Sequence, residues 1–469
     1  MPASIHNLYT QSRSLQAYTQ ALQVTGQNIA SSAQKGYAKQ QVVLQSNLPG
    51  SVPHMGGSAV NASIKDTRDA LISSQIRREQ GDLGYQEEHL GYAEQLELTL
   101  FSGSEGPLDL AAEGGAYLNR GLLSSLSTFL DSWADLEAKP DDTAARQSVL
   151  DSAGAMVDRF HSDAENLGEL RGTVETAVEG SVARVNELLG QVASVQQQLS
   201  RLPGGQTTAK AELTTLREES LSELSEYIGF SFTDNAAAPL ESSLTVRLAD
   251  GTTAELLTGS QVNDTLNWDG ADLSLTTAGT NLATDKGRLG AQANFLNDTL
   301  NEYENHWDLL AGEMVRVVNG LYNPGATPGE DFFVAGSGTA ASIEVEVANA
   351  TLLRAGTGGT GNDIARSLAA LAKADLAADH GSPITAGSFS DDLLERQNTL
   401  ARRIASEQDA VSAQEKVVSF LEQEQQSRSG VDLDAEIAQL LQFQRSYQAS
   451  SRVLRTLDEV LQTFLSDLR

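Results

Sequence analysis

The sequence predicts a mainly α protein: long helices, a coiled-coil pair of heptad-patterned helices from the two chain ends, an elongated helical body and a small β-rich insert, so α+β overall. Three observations support this. Both ends space side chains by three and four residues, which keeps one stripe on one helix face. From Asp391 onward the chain has no proline. Between residues 230 and 286 the composition changes to Thr, Gly and Asp with alternating apolar side chains, as in strands.

The first predicted helix covers residues 4–29. Its three-and-four spacing passes through Ile5, Leu8, Ser12, Leu15, Thr19, Leu22, Gly26 and Ile29. Ser12, Thr19 and Gly26 in this series are small or polar, so a helix that packs on this stripe should approach closely but bind weakly. We therefore expect other copies of the chain to complete the packing. Asn28, Gly36 and the pair Ser31-Ser32 indicate the helix end and a turn, because Asn and Gly tolerate positive φ.

The last predicted helix begins after Ser429-Gly430, with Asp432, Asp434 and Glu436 in its positive first turn. Its side chains follow the same three-and-four spacing. The first and last helices could assemble with other copies of the chain, or they could form an ordinary antiparallel pair within one chain. The candidate self-assembly residues are Ile5, Leu8, Leu15, Leu22, Asn28, Ile29, Gly36, Tyr37, Ile437, Leu440, Phe443, Tyr447, Leu454, Leu457, Leu461, Phe464 and Leu468.

Between these ends the pattern alternates between helical stretches and shorter extended or glycine-rich segments. The predicted helices cover residues 67–101, 118–138, 143–202, 208–228, 288–322, 363–378 and 391–427. We expect Asn362-Asp363 to cap the helix at 363–378. The predicted extended stretches cover 42–44, 60–64 and 342–348, a tight hairpin turn falls at Asp250-Gly251, and loops fall at 49–57 and 102–115. We divide the chain into a terminal coiled-coil inner domain (1–45 plus 431–469), a helical body (46–229 plus 287–430) and a β-rich outer insert (230–286).

The charge is strongly negative and unevenly distributed. The 469 residues carry a net charge of −31, whereas residues 1–50 hold +3, residues 431–469 hold −2, and the remainder holds −32. An acidic body repels nucleic acid and anionic lipid and opposes its own crowding. The near-neutral ends are therefore the parts that we expect to come together in numbers, with no nucleic acid as a partner.

Composition also narrows the possible chemistry. Cysteine is absent, which excludes disulfides and thiolate metal sites and suits a chain that crosses compartments unfolded. The six histidines approach no metal-ligand spacing. No apolar run is long enough to insert in a membrane, and the N-terminus lacks the layout of a cleavable signal, so export would depend on another signal. We expect no cofactor and no enzyme activity.

Two enzymatic alternatives can be weighed. The segment 356–361 matches the dinucleotide-binding glycine pattern, with Asp379 beyond it, but seven residues separate it from the predicted strand, where the fingerprint needs the turn at the strand tip. The acid doublets Asp141-Asp142 and Asp391-Asp392 both fall at helix starts, where capping explains them. A surface loop and two helix caps are the simpler interpretations.

Two terminal motifs carry a family resemblance. The run 22–30, followed by Gly36-Tyr37-Ala38-Lys39-Gln40, resembles the N-terminal signature of bacterial flagellar axial proteins, and its Gly-Tyr-x-x-Gln form is similar to the hook-associated protein 1 family. Residues 429–436 and 440–453 are similar to that family's C-terminal signature. Ser31-Ser32 and Gln34 depart from the usual Asn and Thr, and the insert is short for the family.

The resemblance implies a structural protein exported by the flagellar type III apparatus to the outside of the cell. It would form a ring at the hook–filament junction, between the hook protein and hook-associated protein 3, after contact with an export chaperone. The terminal helices would line the inner tube and the insert would face solvent. Two alternative functions are open: a sister axial protein such as hook-associated protein 3, and a nucleotide-binding helical enzyme.

Overall fold

A computed structural model describes residues 2–33, 37–47, 59–101, 121–203, 207–235, 237–357 and 361–467. The predicted loops at 49–57 and 102–115 lie outside these ranges. The helices are α1 (Pro2–Ala30), α2 (Ala70–Phe101), α3 (Gly121–Ala138), α4 (Thr143–Arg201), α5 (Thr207–Tyr227), α6 (Gly287–Asn294), α7 (Asn301–Tyr322), α8 (Asp363–Ala370), α9 (Leu376–His380), α10 (Phe389–Ser429) and α11 (Leu433–Asp467). The mainly α prediction is confirmed.

The longest helix, α4, shows why the helical prediction succeeded. Asp142 caps it as predicted, since its carboxylate accepts a hydrogen bond from the Ala144 N–H at 2.9 Å. Buried apolar side chains recur at helical spacing along its 59 residues. Gly154, Gly168 and Gly172 lie inside this helix without breaking it, because the buried face on both sides of each glycine holds the backbone in place.

The strands are β1 (Gln40–Asn47), β2 (Ala59–Asp66), β3 (Phe230–Thr233), β4 (Ser243–Arg247), β5 (Thr253–Thr258), β6 (Gln261–Val262), β7 (Leu266–Trp268) and β8 (Leu273–Leu275). β1 and β2 form an antiparallel ribbon from Gln40 opposite Asp66 to Asn47 opposite Ala59. The insert holds a sheet in the order β3-β4-β5-β6 and the hairpin β7-β8. Gly251 supplies the positive φ of +85° in the predicted turn between β4 and β5.

The apolar core is a cluster shared by the body helices and the insert. Phe129, Trp133, Phe332 and Phe333 meet in it edge to face or tilted, with ring centroids 4.8 to 6.3 Å apart. Leucines of the insert strands belong to the same cluster. Among the side chains described for α1 and α11, none joins it. The terminal helices therefore depend on other contacts.

Three local predictions are wrong. Residues 342–348 form no strand; Val345 makes one isolated bridge to Phe333, because its partner segment turns away after a single exchange of hydrogen bonds. Asn362 precedes α8 but its side chain makes no cap; it donates to the Glu137 carbonyl instead. Asp392 is also no cap, since it is buried and hydrogen bonded to His306 Nε2 at 2.6 Å.

One buried carboxyl should make stability depend on pH. Asp163 is fully buried, accepts a hydrogen bond from Trp307 Nε1 at 3.2 Å and pairs with Arg159 at 2.7 Å. Burial raises the pKa of Asp163 from 3.8 to about 6, although Arg159 and Trp307 pull it down. Folding therefore favours the protonated form, and this contribution to stability is lost as pH rises from about 4 to about 6.

We expect Asp163→Asn to stabilise the protein above that window, because an amide still accepts from Trp307 without a buried charge. Two pKa units correspond to on the order of 3 kcal/mol. Denaturant unfolding should show this gain at pH 7.5 and none near pH 4. Asp158→Asn, at an exposed position of α4, is the control and should change little at either pH. An equal gain at both pH values would contradict the assignment.

The two ends of the insert adjoin. A Cβ built on Gly229 would lie 3.0 Å from Lys286 Cβ, so a short linker can close the gap. The insert is nevertheless packed on α4, where the Asn186 side chain exchanges two 2.9 Å hydrogen bonds with the backbone of Leu266. Removing it would uncover part of α4.

We expect replacement of residues 231–286 by a Gly/Ser linker to lower the melting temperature of the body without unfolding it. The decrease in melting temperature should be roughly proportional to the apolar area that the deletion exposes to water. Calorimetry measures it, and Asn186→Ala in the full chain should give a fraction of the same loss, since it breaks only the two bonds to Leu266. An unchanged melting temperature would show that the insert does not support α4.

Candidate assembly site

The two terminal helices pack along each other within one chain. Asn28, near the end of α1, contacts Glu436, in the first turn of α11, at 3.0 Å. Two helices that pack together and meet at the end of one and the start of the other run antiparallel. The chain therefore contains the antiparallel pair that the sequence analysis held as an alternative to contacts between copies.

The side chain of Asn28 lies at the centre of this junction. Its Nδ2 donates to the Gln40 carbonyl at 2.9 Å and to Glu436 Oε2 at 3.0 Å. Its Oδ1 accepts from the Tyr37 hydroxyl at 2.9 Å and from the Gln40 N–H at 3.0 Å. These four bonds use the full capacity of one amide. The prediction that Asn28 takes a positive φ at the helix stop is wrong, because the residue is helical and α1 continues to Ala30.

A buried ion pair completes the arrangement. Lys39 Nζ lies 2.7 Å from Glu436 Oε1, and the Glu436 side chain is 1% exposed. The Lys39 N–H donates to the Ser429 carbonyl at 2.8 Å, so the segment after α1 also holds the end of α10. A buried carboxylate is tolerated because a cation and an amide donor face it. We call Asn28, Tyr37, Lys39, Gln40 and Glu436 the Asn28 cluster.

The face of α1 that is buried differs from the predicted stripe. Among the side chains described for α1, the buried ones are Ser14, Ala17, Ala21, Val24, Thr25 and Asn28. Ser12 and Thr19 of the predicted stripe are exposed, whereas Leu15, Leu22 and Ile29 are half-buried at its edge. Small side chains let two helix backbones approach closely, so this face suits the contact within the chain. The leucine stripe is left partly uncovered.

The last helix is more open than the first. Among the described side chains of α11, only Glu436 is fully buried. Leu440, Phe443, Leu454 and Leu457 are half-buried. Exposed apolar side chains follow the outer surface: Leu433, Ile437, Leu441, Tyr447, Val453 and Val460, at 39 to 60% exposure. Ile437 and Tyr447, two of the candidate self-assembly residues, belong to this exposed set.

The remaining candidate residues are placed as follows. Tyr37 is half-buried and belongs to the Asn28 cluster. Ile5, Leu8, Leu461 and Phe464 fall within α1 and α11. Gly36 and Leu468 lie outside the described residues.

Sequence reasoning missed Lys39, Gln40 and Glu436 as site residues. Glu436 was interpreted only as an acid that interacts with the helix dipole. Gln40 contributes chiefly through its backbone N–H and carbonyl, and backbone contacts cannot be predicted from the type of side chain. The one available signal was the chemistry of the ends: an acid at the start of α11 and a lysine in a segment that carries no acid.

The glycine-rich segment before α8 is explained by local contacts. The Thr357 N–H and hydroxyl both donate to the Asp363 carboxylate, at 3.0 and 2.8 Å. A Cβ at Gly356 would lie 2.3 Å from the Gly361 carbonyl carbon, so glycine is needed for this close approach. With no strand at 342–348, the structural context for a dinucleotide site is missing there.

Two features are absent from the described residues. No cluster of acidic or histidine side chains there could hold a metal ion. Within the same residues, no helix has the length and apolar character needed to cross a membrane.

Comparisons with known proteins agree with this geometry. The family model described as "Flagellar hook-associated protein FlgK helical domain" matches residues 116–333. The model described as "Flagellar basal body rod FlgEFG protein C-terminal" matches residues 422–468, which contain α11 and Glu436. One model thus covers a large part of the body and the other covers the last helix.

Individual relatives are named flagellar hook-associated protein 1. Flagellar hook-associated protein 1 of Bacillus subtilis is 22% identical over 535 aligned positions, which span 100% of this chain and 99% of that protein. The Salmonella typhimurium protein of that name is 26% identical over 344 positions, spanning 69% of this chain and 58% of its own. The solved structure of the flagellar hook junction protein FlgK from Burkholderia pseudomallei gives a TM-score of 0.44 at 17% identity, over 56% of this chain and 47% of that one. The family models and the named relatives together show that the chain is similar to the flagellar hook-associated protein 1 family.

Proposed function

We propose that this chain is a structural axial protein of the bacterial flagellum, which forms the junction between hook and filament by self-assembly through its terminal helices. The observation that carries the proposal is the Asn28 cluster. It joins residues of both terminal signatures, Asn28 and Tyr37 from one and Glu436 from the other, in one buried hydrogen-bond network. The paired signatures therefore act as one structural unit.

The surface of the terminal pair supports assembly between copies. The outer side of α11 presents apolar side chains such as Ile437 at 48% and Val460 at 60% exposure. Half-buried Leu15 and Leu22 lie on α1. Burial of such side chains stabilises by roughly 25 cal/mol per Å² removed from water. Neighbouring copies can supply that burial, and the near-neutral charge of both ends does not oppose it.

The same contacts support the proposed domain division. In our proposal the terminal pair (1–45 plus 431–469) is the inner, assembling part, since its described side chains stay out of the body's apolar cluster. The body (46–229 plus 287–430) surrounds it, and the insert (230–286) lies outermost. The neighbours would be the hook protein and hook-associated protein 3, with an export chaperone before secretion into the extracellular flagellum.

The test is complementation of a strain that lacks the gene. Full-length protein with a small epitope tag in the insert should restore filaments, and immunogold label should lie in a narrow band between hook and filament. Label along the filament would indicate a different axial role. Restored motility with no label on the flagellum would contradict a structural role at this position.

A further inference from the structure

A cavity of about 580 Å³ opens between β2, the start of α2, α5 and β3. The apolar side chains of its lining, which we call the apolar wall, are Ile64, Leu71, Leu199, Phe232 and Pro239. The guanidinium groups of Arg68, Arg77 and Arg217 belong to the same lining, and Arg217 lies 5.3 Å from the centre of the Phe232 ring. Leu71 is 66% exposed, so this wall extends to solvent.

The cavity has more positive than negative charge. Among the described residues of its lining are four basic ones, Arg68, Arg77, Lys210 and Arg217, and two acids, Glu218 and Asp234. Glu218 is shared by three guanidinium groups, with nitrogen–oxygen distances of 2.8 Å to Arg77, 3.0 Å to Arg217 and 3.4 Å to Arg68. In a chain with a net charge of −31, this is a local excess of positive charge.

Two buried polar atoms in the lining have unused bonding capacity. Arg217 is 4% exposed and Gln40 is 6% exposed. Arg217 Nε and Gln40 Oε1 have no hydrogen-bond partner among the described residues. Burial lowers the pKa of Arg77, and the charges of Arg68 and Arg217 lower it further, against the opposing pull of Glu218. Asp234 already accepts two hydrogen bonds from Arg217, at 2.8 Å each, so the unused bonding capacity in the lining is that of Arg217 Nε and Gln40 Oε1.

We infer that this cavity receives an acidic side chain of a second copy of the chain. A carboxylate matches the fork geometry of arginine. Gln40 Oε1 needs an N–H donor, which the peptide bond next to that side chain supplies and a fully ionised inorganic anion does not. The apolar wall fits the methylene groups of the same residue. The ligand is thus a glutamate or aspartate within a polypeptide.

The second copy is the occupant because of where the cavity lies and what the body carries. Gln40 belongs to the Asn28 cluster and also lines the cavity, so the cavity adjoins the terminal pair. This choice of partner rests on the proposed assembly, in which the terminal helices bring bodies together. Bodies that carry −32 over residues 51–430 repel one another. A basic cavity that takes up a neighbour's carboxylate replaces part of that repulsion by attraction.

The first experiment tests the ligand chemistry on the purified full-length chain. N-acetyl-glutamate methylamide should bind at least tenfold more tightly than N-acetyl-glutamine methylamide in calorimetric titration. Lys210→Glu should weaken the glutamate probe about fivefold, as expected for reversing one exposed charge. Lys139→Glu, the same change at an exposed lysine outside the lining, should leave it unchanged. Equal binding of the two probes would overturn the inference.

The second experiment tests the partner. A photoreactive amino acid at Leu71, in the tagged chain that restores filaments, should form adducts with an acidic segment of another copy in assembled junctions. Normal filaments with adducts only to a different protein, or with none, would overturn the assignment to a second copy. If the wild-type chain restores no filaments at all, the proposed function fails, whereas the probe titration still decides the chemistry of the cavity.

Discussion

Asn28→Asp should separate the two terminal helices while the body stays folded. The substitution keeps the shape of the side chain but places a carboxylate oxygen 3.0 Å from Glu436 Oε2, where an N–H now donates. Asn28 is 1% and Glu436 0% exposed, so water cannot screen the repulsion. A buried charge without compensation costs about 3–5 kcal/mol. Filament attachment should be lost.

Amide hydrogen exchange measures this effect at residues 37–47 and 433–440. Gln27→Glu is the matched control: Gln27 Nε2 donates to Glu212 Oε1 at 2.9 Å on the exposed side of α1, so the same change should cost less than about 1 kcal/mol. Acidification should restore protection in Asn28→Asp, because two adjacent carboxylates can share one proton. Equal effects of the two variants would show that the Asn28 cluster is not critical.

Removal of residues 455–469 should abolish filament attachment and leave the body folded. The described side chains of α11 lie outside the apolar cluster of the body, so thermal unfolding of the body should be nearly unchanged. The truncation removes Leu457, which is half-buried, together with the exposed Val460 and the rest of the helix. The remaining part of α11 would have too little apolar surface to hold neighbouring copies.

A pair of full-length variants separates this effect from the loss of chain length. Leu454→Ser with Leu457→Ser should reproduce the loss of attachment. Thr456→Ser with Gln462→Ser, at exposed polar positions of the same helix, should leave attachment intact. Electron microscopy of sheared cells and calorimetry of the purified chains give the two readouts. Filaments on the truncated chain would exclude a role of the helix end in assembly.

The elements that were predictable from sequence are those in which one physical effect dominates. α4 follows a long apolar period, with Asp142 as a cap that side-chain type makes visible. The turn at Gly251 needs a positive φ that glycine supplies. The strand expected at 342–348 failed because alternation alone does not provide a partner strand long enough to pair with.

The two helices of the site were predictable from the sequence, but the helix faces that contact each other were not. Heptad spacing identified both helices, but it could not decide which of two neighbouring stripes faces the partner. On α1 the small side chains Ala17 and Ala21 are buried and the leucines lie beside them, because close backbone approach outweighs the larger apolar area. The Asn28 cluster depends on backbone groups of Gln40 and on a carboxylate from the far end of the chain, and no local pattern records such contacts.

The contact between Asn28 and Glu436 joins residues 408 positions apart, and this separation has a consequence for timing. Closing a flexible loop of that length costs about 5 kcal/mol from its logarithmic dependence on length. A folded body removes most of that cost, since it already holds the start of α2 beside the end of α10, where Arg428 lies 3.1 Å from Asp69. The terminal pair should therefore form last, after the body has folded. While the chain is still being synthesised, it lacks Glu436 until the last segment is made. The Asn28 cluster can therefore form only after Glu436 is present, and on our proposal it forms before the chain joins its neighbours.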